Sequence, residues 1–221
     1  MSKSAVRLML LVIVLQLAAC AGAFVEPRPP RSDPLTGILP TLPPPRAAES
    51  VIASPQAKRL GMIVSDSTEK QLGWLQAMNE RQKNNIVMSD LADYWDPKNM
   101  ASLVIDGLKR RFADVVLVDD MNDVRARRFD YAVVVDIGTD FIVHGSGDTE
   151  NRYDVRTDFI DPAGRLVGSA QGAGGKRHRW FDLCSLFPSF DCVRRYSKVQ
   201  YGDALNNAIT AWEADLGKMV R

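Results

Sequence analysis

Nine of the twelve prolines in this 221-residue chain fall within residues 21–55, among them Pro29-Pro30 and Pro43-Pro44-Pro45. Proline has no backbone N–H and holds φ near one value, so this stretch can neither pair as a central strand nor run as a long helix. It is expected to be an extended, semi-rigid tether. At about 3.1 Å per residue, its 35 residues reach at most roughly 110 Å. A folded core is thereby confined to residues 56–221, which suffices for one domain of ordinary size.

Within that part the hydrophobic pattern changes period several times. Leu60-Gly61-Met62-Ile63-Val64 is short and apolar, as a buried strand is. Residues 66–96 give a weak signal: Leu72, Leu75 and Met78 hint at one helical stripe, and Trp74 and Trp95 suit core edges. The next helix is plainer. Asp96 is a good N-cap, Pro97 fits the first helical position, and Met100, Leu103, Val104, Gly107, Leu108 and Phe112 recur at helical spacing. Val115-Val116-Leu117-Val118 reads as a strand closed by Asp119 and Asp120, and residues 131–143 as a longer one. Gly145-Ser146-Gly147-Asp148 is a turn sequence.

From 152 to 159 the alternation is strict. Tyr153, Val155, Thr157 and Phe159 lie on one face, and Arg152, Asp154, Arg156 and Asp158 on the other, which is a strand with one wet side. Asp161-Pro162-Ala163-Gly164 turns the chain into a returning strand of small residues over 166–173. A closing amphipathic helix is expected from about Gly202, with Tyr201, Ala204, Leu205, Ala208, Ile209, Trp212, Leu216 and Met219 on its buried face. The order strand, helix, strand, meander, helix predicts an α/β two-layer sandwich. Its mixed sheet has a C-terminal antiparallel meander, and two helices share one face.

The N-terminus carries an address. Lys3 and Arg7 precede an apolar run over 8–17, and Leu17-Ala18-Ala19-Cys20 follows. Ten residues make about 15 Å of helix, half a bilayer core, so this is a targeting segment and not a span. It resembles a bacterial lipoprotein signal with its lipobox. That resemblance implies removal of residues 1–19, a lipid such as palmitate on Cys20, and a lipidated tether over 20–55 ahead of a periplasmic domain over 56–221. Ala21 follows Cys20 with no aspartate to signal inner-membrane retention, which implies the outer membrane, facing the periplasm. No later apolar run approaches 18 residues.

Without Lys3 and Arg7 the 28 basic side chains become 26, against 27 acidic ones, so no charge excess points to nucleic acid. Besides Cys20 there are only Cys184 and Cys192, close in sequence and in a compartment that permits oxidation; a local disulfide is expected. A metal site there would need ligands beyond His178, and neither a metal nor another cofactor is expected.

The element order also resembles a domain shared by envelope proteins: the TolB amino-terminal domain, the curli-secretion-channel lipoproteins, and outer-membrane lipoproteins of the YajG and PelC type. The residues that carry the resemblance are the lipobox, the apolar first strand, Leu108-Lys109-Arg110-Arg111-Phe112 before Val115-Val116-Leu117-Val118, and Asp130-Tyr131-Ala132-Val133-Val134-Val135. It covers roughly 58–173 and 202–219, and departs at the cysteine segment and at the long 66–96 connection. It implies a non-enzymatic assembly role in an envelope machine for secretion, polysaccharide export or lipid transport, with an envelope protein or further copies of the chain as partners.

Catalytic signals are thin. His144-Gly145-Ser146-Gly147 is not a nucleophile elbow, and neighbours on a strand point apart. Gly172-Ala173-Gly174-Gly175 lacks the ending of a phosphate loop. Asp119 and Asp120 fit a strand end better than an acid–base pair. The alternative function is a lipid-tethered hydrolase built around Asp119, Asp136 and His144.

The unusual segment is 176–196, where Trp180, Phe181, Leu183, Leu186, Phe187 and Phe190 crowd together, flanked by Lys176, Arg177, Arg179, Arg194 and Arg195. Between the last strand and the last helix it is expected to be a disulfide-braced protrusion. Exposed apolar groups there need cover. Three arrangements supply it: folding back over the sheet, docking a partner with Arg177 and Arg179 as rim, or dipping into a membrane interface.

Overall fold

Leu60-Gly61-Met62-Ile63-Val64 offers no side-chain hydrogen bond to water, and the structure places this segment inside a sheet, between two parallel neighbours. A computed structural model describes residues 28–47, 51–83, 97–143, 149–178 and 190–221. Strand β1 (Arg59–Val64) is flanked in parallel by β2 (Asp114–Leu117) and β3 (Tyr131–Val143). β4 (Thr149–Ile160) and β5 (Leu166–His178) complete an antiparallel meander, giving the order β2-β1-β3-β4-β5. The pairing of β3 with β4 runs from Ala132↔Ile160 to Val143↔Thr149. The mixed five-stranded sheet with its C-terminal antiparallel meander is the α/β architecture expected.

Helix α1 (Asp66–Lys83) starts at the end of β1. Ser65 caps it, its hydroxyl accepting from the Thr68 N–H at 3.0 Å, and Asp66 and Glu69 lie in the first turn, where the helix dipole favours negative charge. Helix α2 (Pro97–Lys109) buries Met100, Val104 and Leu108 as expected. The short helix α3 (Met121–Ala126) is capped by Asp120, whose carboxylate accepts from the N–H groups of Asn122 and Asp123 at 2.7 and 2.9 Å. Helix α4 (Phe190–Met219) buries Ala204, Ala208, Trp212 and Leu216.

The large core lies between one sheet face and α1, α2 and α4 together, with Leu75, Met100, Val104, Trp212 and Phe159 among its members. The two expected helices therefore share their face with a third. α4 approaches β5 backbone to backbone. A Cβ on Gly172 would sit 2.2 Å from the Trp212 amide nitrogen, and one on Gly174 would sit 2.3 Å from the Ala204 carbonyl oxygen. The run of small residues in β5 thus makes a slot for a helix.

The opposite face is wet only over part of its length. Leu35 and Leu39, 2% and 7% exposed, join Met121, Val124, Phe129, Ala132, Val134 and Ile160 in a second apolar cluster. Residues 45–47 then bond to the edge of β5: the Leu166 N–H donates to the Pro45 carbonyl and the Ala47 N–H to the Leu166 carbonyl, both at 2.8 Å. Ile52 is fully buried and pairs with the chain end, accepting from the Arg221 N–H at 3.0 Å.

Through these contacts residues ahead of 56 pack onto the sheet, and the compact unit runs Arg31–Arg221. Proline bars a segment from a ladder interior, but it leaves the carbonyl of Pro45 and the side chains of Leu35 and Leu39 free to pack. The expected loop at 176–196 is corrected. β5 continues to His178 and α4 begins at Phe190, with no glycine or proline between Phe190 and Tyr201 to stop it.

Candidate functional site

The wet part of the second face carries the polar residues that the fold brings together. Strand β3 turns Asp136 and Gly138 toward this side, the loop after β1 supplies Ser65, and the first turn of α1 supplies Thr68. Asp136 is 4% exposed. The Ser65 hydroxyl donates to Asp136 Oδ1 at 2.7 Å, and the Thr68 hydroxyl lies 3.2 Å from the same oxygen while accepting from the Ile137 N–H at 2.7 Å. The other oxygen, Oδ2, accepts from Arg31 Nη2 at 2.8 Å.

Arg31 comes from the proline-rich stretch, and its guanidinium lies flat across Gly138. A Cβ on that glycine would stand 2.5 Å from Arg31 Cζ. The same guanidinium reaches Asp154 Oδ2 at 3.4 Å, and Arg152 Nε is 3.4 Å from the other oxygen of Asp154.

Further along the same face, Asp158 is fully buried although its position in the alternation predicts exposure. Ser169 and Arg156 hold it, with Arg156 Nε 2.9 Å from Oδ2. A buried carboxylate is tolerable only with such partners.

This arrangement is chemically closed. A nucleophilic serine needs a base that can take its proton and a substrate that can reach it. Ser65 is fully buried, and both oxygens of its carboxylate neighbour are already bonded. What the cluster does is fix β1, α1, β3 and the proline-rich segment to one point. Charge–charge hydrogen bonds of this kind are directional as well as strong.

Of the residues singled out from sequence, Asp120 is a helix cap. The N–H groups of Asp123 and Asn122 hold its carboxyl below the usual carboxylate range. Asp119 belongs to the same turn, its N–H 3.4 Å from the Asp123 carboxylate. Asp136 sits in the closed cluster, and His144 lies outside the described residues. Arg177 is on β5 opposite Glu150. Phe190 opens α4 and Cys192 lies within it, so neither belongs to a loop. Cys20, Arg179, Trp180, Phe181, Cys184, Leu186 and Phe187 fall outside the described residues, and with them the expected lipid, disulfide and aromatic protrusion.

Arg31, Ser65 and Thr68 gave no sequence signal as a group, because 71 positions separate Ser65 from Asp136 and 105 separate Arg31 from it. Among the described residues no cluster of ligating side chains could hold a metal, and no helix is long and apolar enough to cross a membrane.

No protein family and no curated protein matches the chain. Among solved structures it is similar to a minor lipoprotein from Acinetobacter baumannii, with 12% identity and a TM-score of 0.36 over 72% of this chain and 92% of that one. It is similar also to the PelC L103M dodecamer from Paraburkholderia phytofirmans, with 12% identity and a TM-score of 0.30 over 72% and 96%. Both are loose, fold-level likenesses.

Proposed function

We propose that this chain is a lipid-anchored envelope protein of the outer membrane, facing the periplasm, and that it serves as a non-catalytic binding or assembly subunit. The lipobox at Cys20 supplies the anchor. The observation that carries the reading is the latch of Arg31 on Asp136, which makes the proline-rich segment part of the domain. Ten residues separate Cys20 from Arg31. Fully extended they span about 35 Å, so the lipid would hold the domain against its membrane and not at the end of a long tether.

The closed state of the Ser65–Asp136 cluster supports a structural and not a chemical use of its polar groups. Fractionation with palmitate labelling tests the anchor. The chain should label and sediment with membranes, and Cys20→Ser should abolish the label and release the chain to the periplasm. Unlabelled protein that still sediments with membranes would refute the anchor. Crosslinking in cells tests the assembly role, which fails if the anchored chain is recovered only as a lone subunit.

A further inference from the structure

The two edges of the sheet are finished differently. At β5, residues 45–47 bond to Leu166, and the Asp215 carboxylate of α4 accepts the Gln171 N–H at 3.0 Å. At β2 nothing comparable occurs among the described residues. Arg59 turns its N–H and C=O toward Asp130, so Leu60 and Met62 face β2, and the Val118 N–H donates to the Met62 carbonyl at 2.9 Å. Strand alternation then turns the amides and carbonyls of Val115 and Leu117 outward. Among the described residues no hydrogen bond meets them. Leu117 is also 61% exposed, the most exposed of the large apolar side chains described. An edge with free backbone groups and an exposed leucine is a template for another strand.

The flanks of β2 indicate which strand. Lys109 and Arg110 are exposed before it, Arg110 also pairing with Glu213 of α4 while Asp114 pairs with Arg59, and Asp119 and Asp120 are exposed after it. Antiparallel pairing with a second β2 brings the basic end of each copy to the acidic end of the other. Parallel pairing would set like charges together. With the axis at Val116, Val115 of one copy faces Leu117 of the next, and their outward groups form four hydrogen bonds.

We propose that β2 is a self-assembly edge, pairing antiparallel with β2 of a second copy across a two-fold axis at Val116. This deepens the assembly role and rests on it, naming a second copy as the partner. Residues opposite each other on such an axis, outside the bonded pairs, stand about 4.5 Å apart at Cα, within reach of a disulfide.

The test is mild oxidation of the full lipidated chain in its own membranes, carrying Val116→Cys. A linked dimer is expected at many times the level given by the wild-type chain, whose own cysteines set the background. Adding Leu117→Pro should abolish the link without unfolding the chain, because the amide it removes makes no sheet bond. As a check free of cysteine changes, the wild-type chain in detergent should sediment as a dimer and Leu117→Lys as a monomer. Val116→Cys that stays unlinked, or a link that survives Leu117→Pro, overturns the proposal. So does a wild-type chain that sediments as a monomer. If the chain nevertheless crosslinks to another envelope protein in cells, the edge is wrong and the assembly role stands.

Discussion

Trp212 ties three elements together. It stands on α4, its backbone fills the slot above Gly172, and its indole Nε1 donates to the buried Thr157 hydroxyl on β4 at 3.0 Å. Trp212→Phe keeps most of the apolar contact but removes that donor. It should cost about 1–3 kcal/mol, read from the urea midpoint. Gly172→Ala should cost about 1–3 kcal/mol or more, because the added methyl meets backbone and not a side chain that can swing away. Gly73→Ala is the matching control. Its Cβ meets nothing within 4 Å in α1, and the helix should gain up to about 1 kcal/mol. The sequence shows that residues 172–175 are small, but not why. For Gly172 and Gly174 the reason is the backbone of α4, which meets them through residues 204–212, thirty or more positions later in sequence.

At the scale of elements, legibility followed the chemistry of each buried face. α2 and the later part of α4 bury aliphatic residues at helical spacing, and β4 alternates, so their periods are visible in the sequence. α1 buries Ser67, Thr68 and Gln71 besides Leu75, and a polar buried face leaves no apolar stripe to read. α3 is only six residues long, too short for a helical period to show, although Asp120 caps it. Asp120 and Asp215 act as anchors, one at a helix start and one on the β5 edge. The N–H of Asp123 and that of Gln171, respectively, are the main causes holding each carboxyl below its ordinary value near 3.8. A carboxylate whose folded pKa is depressed stabilises the fold above its unfolded pKa, and that contribution is lost as pH falls through the folded value. The urea midpoint should therefore drop on acidification below about pH 4. Replacing both residues with alanine should flatten that drop, and an unchanged slope would remove them as its cause.

For the whole molecule the difference lies between a long tether and a strap. Composition makes residues 21–55 look like one uniform spacer, yet Arg31, Leu35, Leu39, Pro45 and Ile52 each find a partner across the sheet or at the chain end. None of those partners is near in sequence, so proline content concealed them. Arg31→Ala leaves the buried Asp136 without its cation. It should destabilise the fold by about 1–3 kcal/mol, since the guanidinium itself is only part-buried. The same variant should open residues 31–47 to protease before the sheet unfolds.

The most direct measurement is amide hydrogen exchange on the full chain at Leu39, whose N–H bonds to the Leu35 carbonyl, and at Ala47, whose N–H bonds to the Leu166 carbonyl. If the strap belongs to the fold, both amides exchange slowly, and Ala47 keeps pace with the β5 edge that it joins. Exchange at the rate of a free peptide at both positions would contradict the account and restore the long tether.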